Sequence, residues 1–499
     1  MKNNNKILII TANKDLETNY NKPLTLSANI SERTDKIKDK KHKKNKKKAD
    51  KEAKINYLFK QLIDTTYEKE NIGGILADLA FCKYVIRLSE NREIYIYYKK
   101  KGIYKLATEE NISSMMYSML SEYPNIRNVI KSSHYSECYK QIKIRCGGKS
   151  KALPQSNNQP YILCKNGVVD IRYLSLNKYD KKYGLTFSVK ASFNPDAKGK
   201  AFEKFIDFAT NGDESLKMLL QEITGYVLSD YTCLRKAFVF QGPKGTGKSL
   251  FLDVIRSLIG INNTSSVDLQ NLDDEYYRAA LLGAKVNIAS DTPASSIKEI
   301  TTFKSLTSEL DVISSRAPYE KVKQQRCRTK LLFGTNHNLN FGKAARDDIL
   351  AVFDRLIYVP FVHQVKDKDR NSNLIQELLK EKDYIFTWAC IGMNRLYNNN
   401  FEFTKCRESE KMYNDALAAY CPEEIFVKEH IIVSGSNTYE SSDKIRKAYM
   451  KYMEKHNISD YSCNDITNYL EKTGIKKSRK RIGNAENPIR VFEGIQLVD

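Results

Sequence analysis

Apolar residues recur along this chain of 499 residues in rhythms that change several times. Residues 1 to about 54 are polar, interrupted by short runs such as Ile7-Leu8-Ile9-Ile10. From Ile55 the pattern becomes globular and mixed. Glu93-Ile94-Tyr95-Ile96-Tyr97-Tyr98, followed by Gly102-Ile103-Tyr104, predicts a hairpin of aromatic and β-branched strands. Asn166-Gly167 between Tyr161-Ile162-Leu163-Cys164 and Val168-Val169-Asp170-Ile171 predicts a two-residue turn joining two strands. Phe202, Phe205, Ile206, Leu219, Leu220 and Ile223 fall at helical spacing. From Lys236 to Val359 short apolar runs alternate with helical segments: Ala237–Phe240, Val286–Ala289, Leu331–Phe333 and Leu356–Val359. That alternation predicts a buried, mostly parallel sheet and an α/β fold class. After a helical region ending near Asn400, Ile445, Ala448, Tyr449, Tyr452 and Met453 mark one helix face. Ile466, Tyr469 and Leu470 mark another, and a short β hairpin closes the chain, so the last stretch reads as a small separate domain. The expected organisation is a basic tail (1–54), an α+β domain (55–200), a helical collar (201–235), the α/β domain (236–400), and a linker with a C-terminal domain (401–499).

Charge changes this picture by naming a partner. Lys and Arg number 82 against 60 Asp and Glu, a formal net charge of +22. An excess of that size points to a polyanion, nucleic acid first and an anionic membrane surface second. Between Asp35 and Lys54 eleven Lys face four acids, a local +7. Such a block is either a solvated, disordered tail or an electrostatic nucleic-acid arm. No window approaches the roughly 20 apolar residues of a membrane span. The run at Ile7 is too short for a signal-peptide core, so secretion is not expected. The ten cysteines are scattered with no Cys-x-x-Cys pair, which argues against a zinc ribbon or a disulfide scaffold and for reduced thiols in a cytoplasmic protein.

The densest chemistry lies in Gly242-Pro243-Lys244-Gly245-Thr246-Gly247-Lys248-Ser249, which has the P-loop pattern between an apolar strand and an amphipathic helix. Glycines let backbone N–H groups approach phosphates, the helix N-terminus favours the anion, Lys248 reaches the β- and γ-phosphates of ATP, and Ser249 can ligate Mg²⁺. Such a loop needs a second strand ending in an acid. Val286-Asn287-Ile288-Ala289-Ser290-Asp291 offers Asp291, whose alternative role is a helix N-cap. Residue 292 is Thr where a second acid is common, so Asp291 acts alone or with another acid such as Asp311. A third strand ends at Asn336, placed to hydrogen-bond the γ-phosphate or the attacking water. Arg355 opens the strand Leu356–Val359, where it is either an arginine that reaches a neighbouring subunit's ATP or a surface partner of Asp354.

Together these stretches resemble the superfamily 3 helicases, an AAA+ ATPase class, and within it the phage, plasmid and poxvirus primase-helicase family. The resemblance is carried by Asn166-Gly167-Val168-Val169-Asp170, Leu220-Gln221-Glu222-Ile223-Thr224-Gly225-Tyr226, the P-loop, Phe303-Lys304-Ser305-Leu306-Thr307, Thr335-Asn336-His337, Arg355 with Pro360-Phe361, and Trp388-Ala389-Cys390-Ile391-Gly392. It covers roughly residues 55–499. It implies an AAA+ P-loop domain, a C-terminal winged-helix domain and a homo-hexameric ring. Asn336 is then the sensor and Arg355 the arginine finger, with Arg346 the runner-up. Leu310 to Arg328 would form a pore hairpin whose Lys321, Lys323 and Arg326 grip single-stranded DNA. In the winged helix, Lys476, Lys477, Arg479, Lys480 and Arg481 would contact duplex or origin DNA.

Departures from the family are Asp291 where Glu is usual, and Ser308-Glu309-Leu310-Asp311 where Gly-Gly-Asp commonly follows. The residues before Asn166 show no cysteine-based zinc site and no Asp-x-Asp pair, so no primase activity is expected and a separate primase or host replication proteins become the expected partners. The resulting expectation is a DNA helicase that initiates replication of a mobile genetic element in a bacterial cytoplasm. The alternative is an ATP-switched initiator that recruits a host helicase without unwinding.

Overall fold

The computed structural model describes residues 45–64, 71–148, 151–154, 157–293, 300–341, 345–366, 368, 370–435, 438–456, 458, 462–481 and 488–498. The basic tail through Lys44 lies outside the described residues. Residues 45–64 are helical, so the helix starts inside the segment read as tail, and it buries Leu58, Phe59 and Leu62 on one face.

The chain forms two compact units, one of residues 1–94 with 107–151 and one of residues 95–106 with 152–499. In the first, helix Ile72–Lys83 and helix Glu109–Met119 pack on helix Ser132–Arg145 and bury Leu76, Ile112, Met116, Cys138 and Ile142. Helix Glu109–Met119 starts at a capping box: the Asn111 N–H donates to the Thr108 hydroxyl and the Thr108 N–H to the Asn111 side chain. The units divide at Lys151 rather than at residue 200. The reason is that Ile162, Cys164, Val169, Val189 and Phe193 share a core with Phe202, Leu220 and Phe238 of the second unit, to which most of the aromatic hairpin, Ile94–Tyr98 against Ile103–Leu106, also belongs. There the Tyr104 N–H donates to the Leu185 carbonyl, and Ile103 packs with Leu163, Val168 and Leu185.

The second unit is built on five parallel strands: β1 (Ala237–Gln241), β2 (Thr264–Ser265), β3 (Val286–Ala289), β4 (Lys330–Thr335) and β5 (Leu356–Pro360). Their order is β5-β1-β4-β3-β2, with Leu331 opposite both Ala237 and Asn287, and Leu356 opposite Ala237. The strands are buried on both faces, as continuous apolar runs require. Phe238, Phe240, Ile288 and Leu332 face one core, completed by helix Lys248–Ile259 and helices Glu214–Leu228 and Lys382–Asn398. Ala237, Val239, Leu331, Phe333 and Tyr358 face the other, with helices Ile300–Thr307, Arg346–Phe353 and Arg407–Ala418.

Helices Glu214–Leu228 and Lys382–Asn398 approach closely because each places a glycine at the crossing. A β carbon on Gly225 would sit 2.3 Å from the Ala389 carbonyl oxygen, and one on Gly392 would sit 2.4 Å from the Gln221 backbone. Beside them Glu222, 1% exposed, accepts from Arg395 Nε at 2.6 Å and from the Thr404 N–H and hydroxyl at 2.7 Å each. A buried carboxylate needs that full set of partners.

The C-terminal segment runs helix Pro422–His430, strands Ile431–Val433 and Tyr439–Ser441, helices Ser442–Lys455 and Asp465–Lys472, then strands Lys477–Lys480, Ile489–Glu493 and Ile495–Leu497. Tyr439–Ser441 and Lys477–Lys480 flank Ile489–Glu493 in one antiparallel sheet, and Ile431–Val433 pairs antiparallel with Ile495–Leu497 in another. Its core is continuous with that of the central sheet: Ile445, Tyr449, Leu470 and Phe492 belong to the same cluster as Phe333 and Phe353. The segment expected to stand as a separate domain is thus docked on the sheet.

Candidate nucleotide-binding site

Residues 242–247 link the carboxyl end of β1 to helix Lys248–Ile259. Gly242 has φ +155°, and a β carbon there would lie 1.8 Å from the Phe361 carbonyl oxygen, so only glycine fits. No side chain caps the helix. Its first N–H groups are therefore open to an anion, which the helix dipole also favours. Val365 N–H donates to the Gly245 carbonyl and Gln364 to that of Lys244, so the strand exit after β5 braces the loop. Thr246 is buried and donates to the Pro243 carbonyl at 3.0 Å.

Lys248 is 6% exposed. Its ammonium donates to the carbonyls of Gly242 and Pro243, the latter at 2.7 Å, and to Asn336 Oδ1 at 3.0 Å. Burial pushes its pKa down, and the Asp291 carboxylate acts in the opposite direction. The three residues follow β1, β4 and β3, which are adjacent: Lys248 opens the helix after the loop, and Asn336 and Asp291 lie just past the carboxyl ends of their strands. Crevices outside the carboxyl ends of parallel strands are where ligands bind in open α/β sheets. Asp291 and Ser249 are exposed. A hydroxyl plus a carboxylate is the hard-oxygen donor set by which Mg²⁺ is held together with substrate phosphates.

The structure adds residues that sequence reasoning missed. Asp268, three residues past β2, lies within electrostatic reach of Asp291: burial first, and then the Asp291 carboxylate, raise its pKa. Asp311 instead leads into the hairpin that follows helix Ile300–Thr307. Arg370 Nη2 lies 3.4 Å from where a β carbon on Gly245 would be, which sets a cation over the loop.

Other sequence-singled residues lie elsewhere. The Arg355 carbonyl accepts from the Ala237 N–H at 2.7 Å, so Arg355 sits at the start of β1, a strand length of roughly 16 Å from Gly242 at about 3.3 Å per residue. Its guanidinium donates to the Ala351 carbonyl, and its buried Nε has no partner among the described residues. Arg346 pairs with Glu424 at 3.1 Å and Glu423 at 3.8 Å and lies over the Tyr469 ring. Residues 310–328 form an antiparallel hairpin, Val312–Ser315 against Lys323–Arg326. Lys321, Lys323 and Arg326 are exposed on it, with Lys323 paired to Glu320 at 2.6 Å. Of the basic run near the C-terminus, Lys476 and Lys480 pair with Glu493 and Lys477 with Glu471. Arg479 and Arg481 are exposed and make no ion pair among the described residues.

Two family models match the chain. One, described as D5 N terminal like, covers residues 76–211. The other, DUF5906, described as a family of unknown function, covers residues 240–355, from the end of β1 to Arg355. Among solved structures, the A form apo structure of the NrS-1 C terminal region aligns at 10% identity over 84% of this chain and 98% of that one, with a TM-score of 0.43. An apo structure of the same region aligns at the same identity and coverage with a TM-score of 0.41. Fold and loop together define a P-loop-like α/β protein. Among the described residues no helix is long and apolar enough to cross a membrane.

Proposed function

We propose that the chain is an ATP-driven DNA helicase of the superfamily 3 AAA+ class, working as a hexameric ring to initiate replication of a mobile genetic element. The observation that carries this reading is the convergence of Lys248, Asn336 and Asp291 at the carboxyl ends of adjacent parallel strands, beside an uncapped helix N-terminus. The D5 N-terminal-like match over residues 76–211 supports it, since that module belongs to phage and plasmid primase-helicases.

In this reading the loop amides and Lys248 bind the triphosphate of ATP, whose oxygens replace the loop carbonyls around the Lys248 ammonium. Ser249 and Asp291 hold Mg²⁺, which supplies neutralisation of the phosphate charge. Asn336, just past the strand between the P-loop strand and the Asp291 strand, orients the γ-phosphate and the water. Arg355, a strand length away, acts on the nucleotide of a neighbouring subunit. The 312–326 hairpin follows the single strand through the pore with Lys321, Lys323 and Arg326. The C-terminal helices and antiparallel strands act in this reading as a winged helix, with Arg479 and Arg481 the phosphate contacts most ready to bind duplex DNA.

The test is strand displacement on a forked duplex by the purified chain with ATP and Mg²⁺. Wild type should unwind, while Lys248→Ala and Arg355→Ala should not, and Lys248→Ala should still bind duplex. Nucleotide binding without displacement by wild type would favour the initiator that recruits a host helicase. Displacement by Lys248→Ala would refute the mechanism.

A further inference from the structure

We propose that Asp268 is the second acid of the nucleotide site and accepts a hydrogen bond from the water that attacks the γ-phosphate. The inference rests on the ATPase reading above and assigns a residue within that same site. The position after Asp291 is Thr292, whose buried hydroxyl has no partner among the described residues, so the chain next to Asp291 supplies no second carboxylate.

The architecture brings one from β2 instead. Ser265 pairs with Asn287 across the parallel β2–β3 ladder. Beyond β2 the chain stays alongside β3. The Ser266 hydroxyl donates to the Ile288 carbonyl at 2.9 Å, and Asn287 Oδ1 accepts the Val267 N–H at 2.7 Å while its Nδ2 donates to the Val267 carbonyl at 2.8 Å. The next residue is Asp268, which this pairing carries toward the carboxyl end of β3, within electrostatic reach of Asp291.

Asn287 is 0% exposed in the middle of a core strand. An amide there is costly unless every polar atom is bonded, and this one spends both ends on the residue before Asp268, with the Ser265 hydroxyl as a further donor at 2.9 Å. The result is a carboxylate held by clamped backbone rather than by a free loop, the kind of support a reacting group needs. The two acids also differ in setting: Asp291 is exposed and Asp268 is half-buried. That difference divides the work between holding the metal and aligning the water.

In the step itself the water oxygen bonds to the γ-phosphorus. The bond to the β,γ-bridging oxygen breaks with its electron pair leaving on ADP. Both water protons depart on the released dihydrogen phosphate, and Asp268 returns unchanged.

The test uses the full chain with Asp268→Asn, which keeps size and removes charge, and Asp268→Glu, which keeps the carboxylate. Three quantities are read: kcat for ATP hydrolysis, the Kd of a fluorescent ATP analogue with Mg²⁺, and thermal melting. Asp268→Asn should lower kcat at least tenfold with Kd within twofold and melting unchanged, and Asp268→Glu should recover part of the rate. Hydrolysis by Asp268→Asn within twofold of wild type overturns the assignment. So does a Kd that rises in step with the loss of rate and is restored by added Mg²⁺, which makes Asp268 a metal holder. A wild-type chain that hydrolyses no ATP overturns the ATPase reading itself, so the two failures are told apart.

Discussion

Gly225→Ala and Gly392→Ala reverse the usual expectation for glycine in a helix. Alanine in a helix interior is favoured over glycine by about 1 kcal/mol, so propensity alone predicts that either change stabilises the chain. The crossing predicts the opposite. The added carbon at 225 would meet the Ala389 carbonyl oxygen at 2.3 Å and Met393 at 2.7 Å, and the one at 392 would meet the Gln221 backbone at 2.4 Å. These obstacles are mostly backbone, so relief requires the helices to separate by roughly an ångström, and overpacking of that kind costs about 1–3 kcal/mol or more. Separation also strains the buried Glu222–Arg395 pair, which spans the same two helices. The net expectation is a loss of about 1–2 kcal/mol for each variant, a lowering of Tm by several degrees at about 2–4 °C per kcal/mol. Calorimetry or a fluorescence melt reads it directly. A variant that melts at or above wild type would show that the crossing tolerates a methyl group and that this account of the close approach is wrong.

Further outcomes follow from the DNA-binding reading. Tyr319, fully exposed at the hairpin tip with φ +63°, touches no core, so Tyr319→Ala should leave melting unchanged. It should weaken single-stranded DNA binding by the 1–3 kcal/mol typical of one stacked base, about 5- to 150-fold in fluorescence anisotropy. Unchanged affinity would remove the hairpin tip from the DNA path. Arg479→Ala with Arg481→Ala should lower duplex affinity and reduce the salt slope by about two, one for each phosphate no longer neutralised. Lys476→Ala and Lys477→Ala should do less, since both lysines already face Glu493 or Glu471. Equal effects from both pairs, in a titration over salt concentration, would contradict this ranking.

The P-loop was legible because its signal is local. Glycines, a lysine and a hydroxyl sit between an apolar strand and a helix, and the structure joins those parts as spaced. Four of the sheet's strands were legible for a similar reason: each is a run of apolar residues buried on both faces. β2 was not, because Thr264-Ser265 is a polar pair in a strand of two residues, held by Asn287 rather than by its own apolar surface. Asp268 went unseen with it, since its nearness to Asp291 arises from parallel pairing across twenty residues and leaves no mark in either segment. The run Lys476–Arg481 reads as five uniform charges, yet Glu471 and Glu493 face three of them in the fold. Gly225 and Gly392 stood out only as parts of family-like stretches. Their packing against each other's helices supplies the physical reason for both.

The central claim is that Lys248, Asn336 and Asp291 act on ATP as one unit, and ATP hydrolysis by the full chain with and without single-stranded DNA tests it most directly. Wild type should hydrolyse ATP faster when DNA is present, and Lys248→Ala, Asn336→Ala and Asp291→Ala should each lose most of that rate. Hydrolysis that ignores DNA, or that survives in Lys248→Ala, would contradict the account.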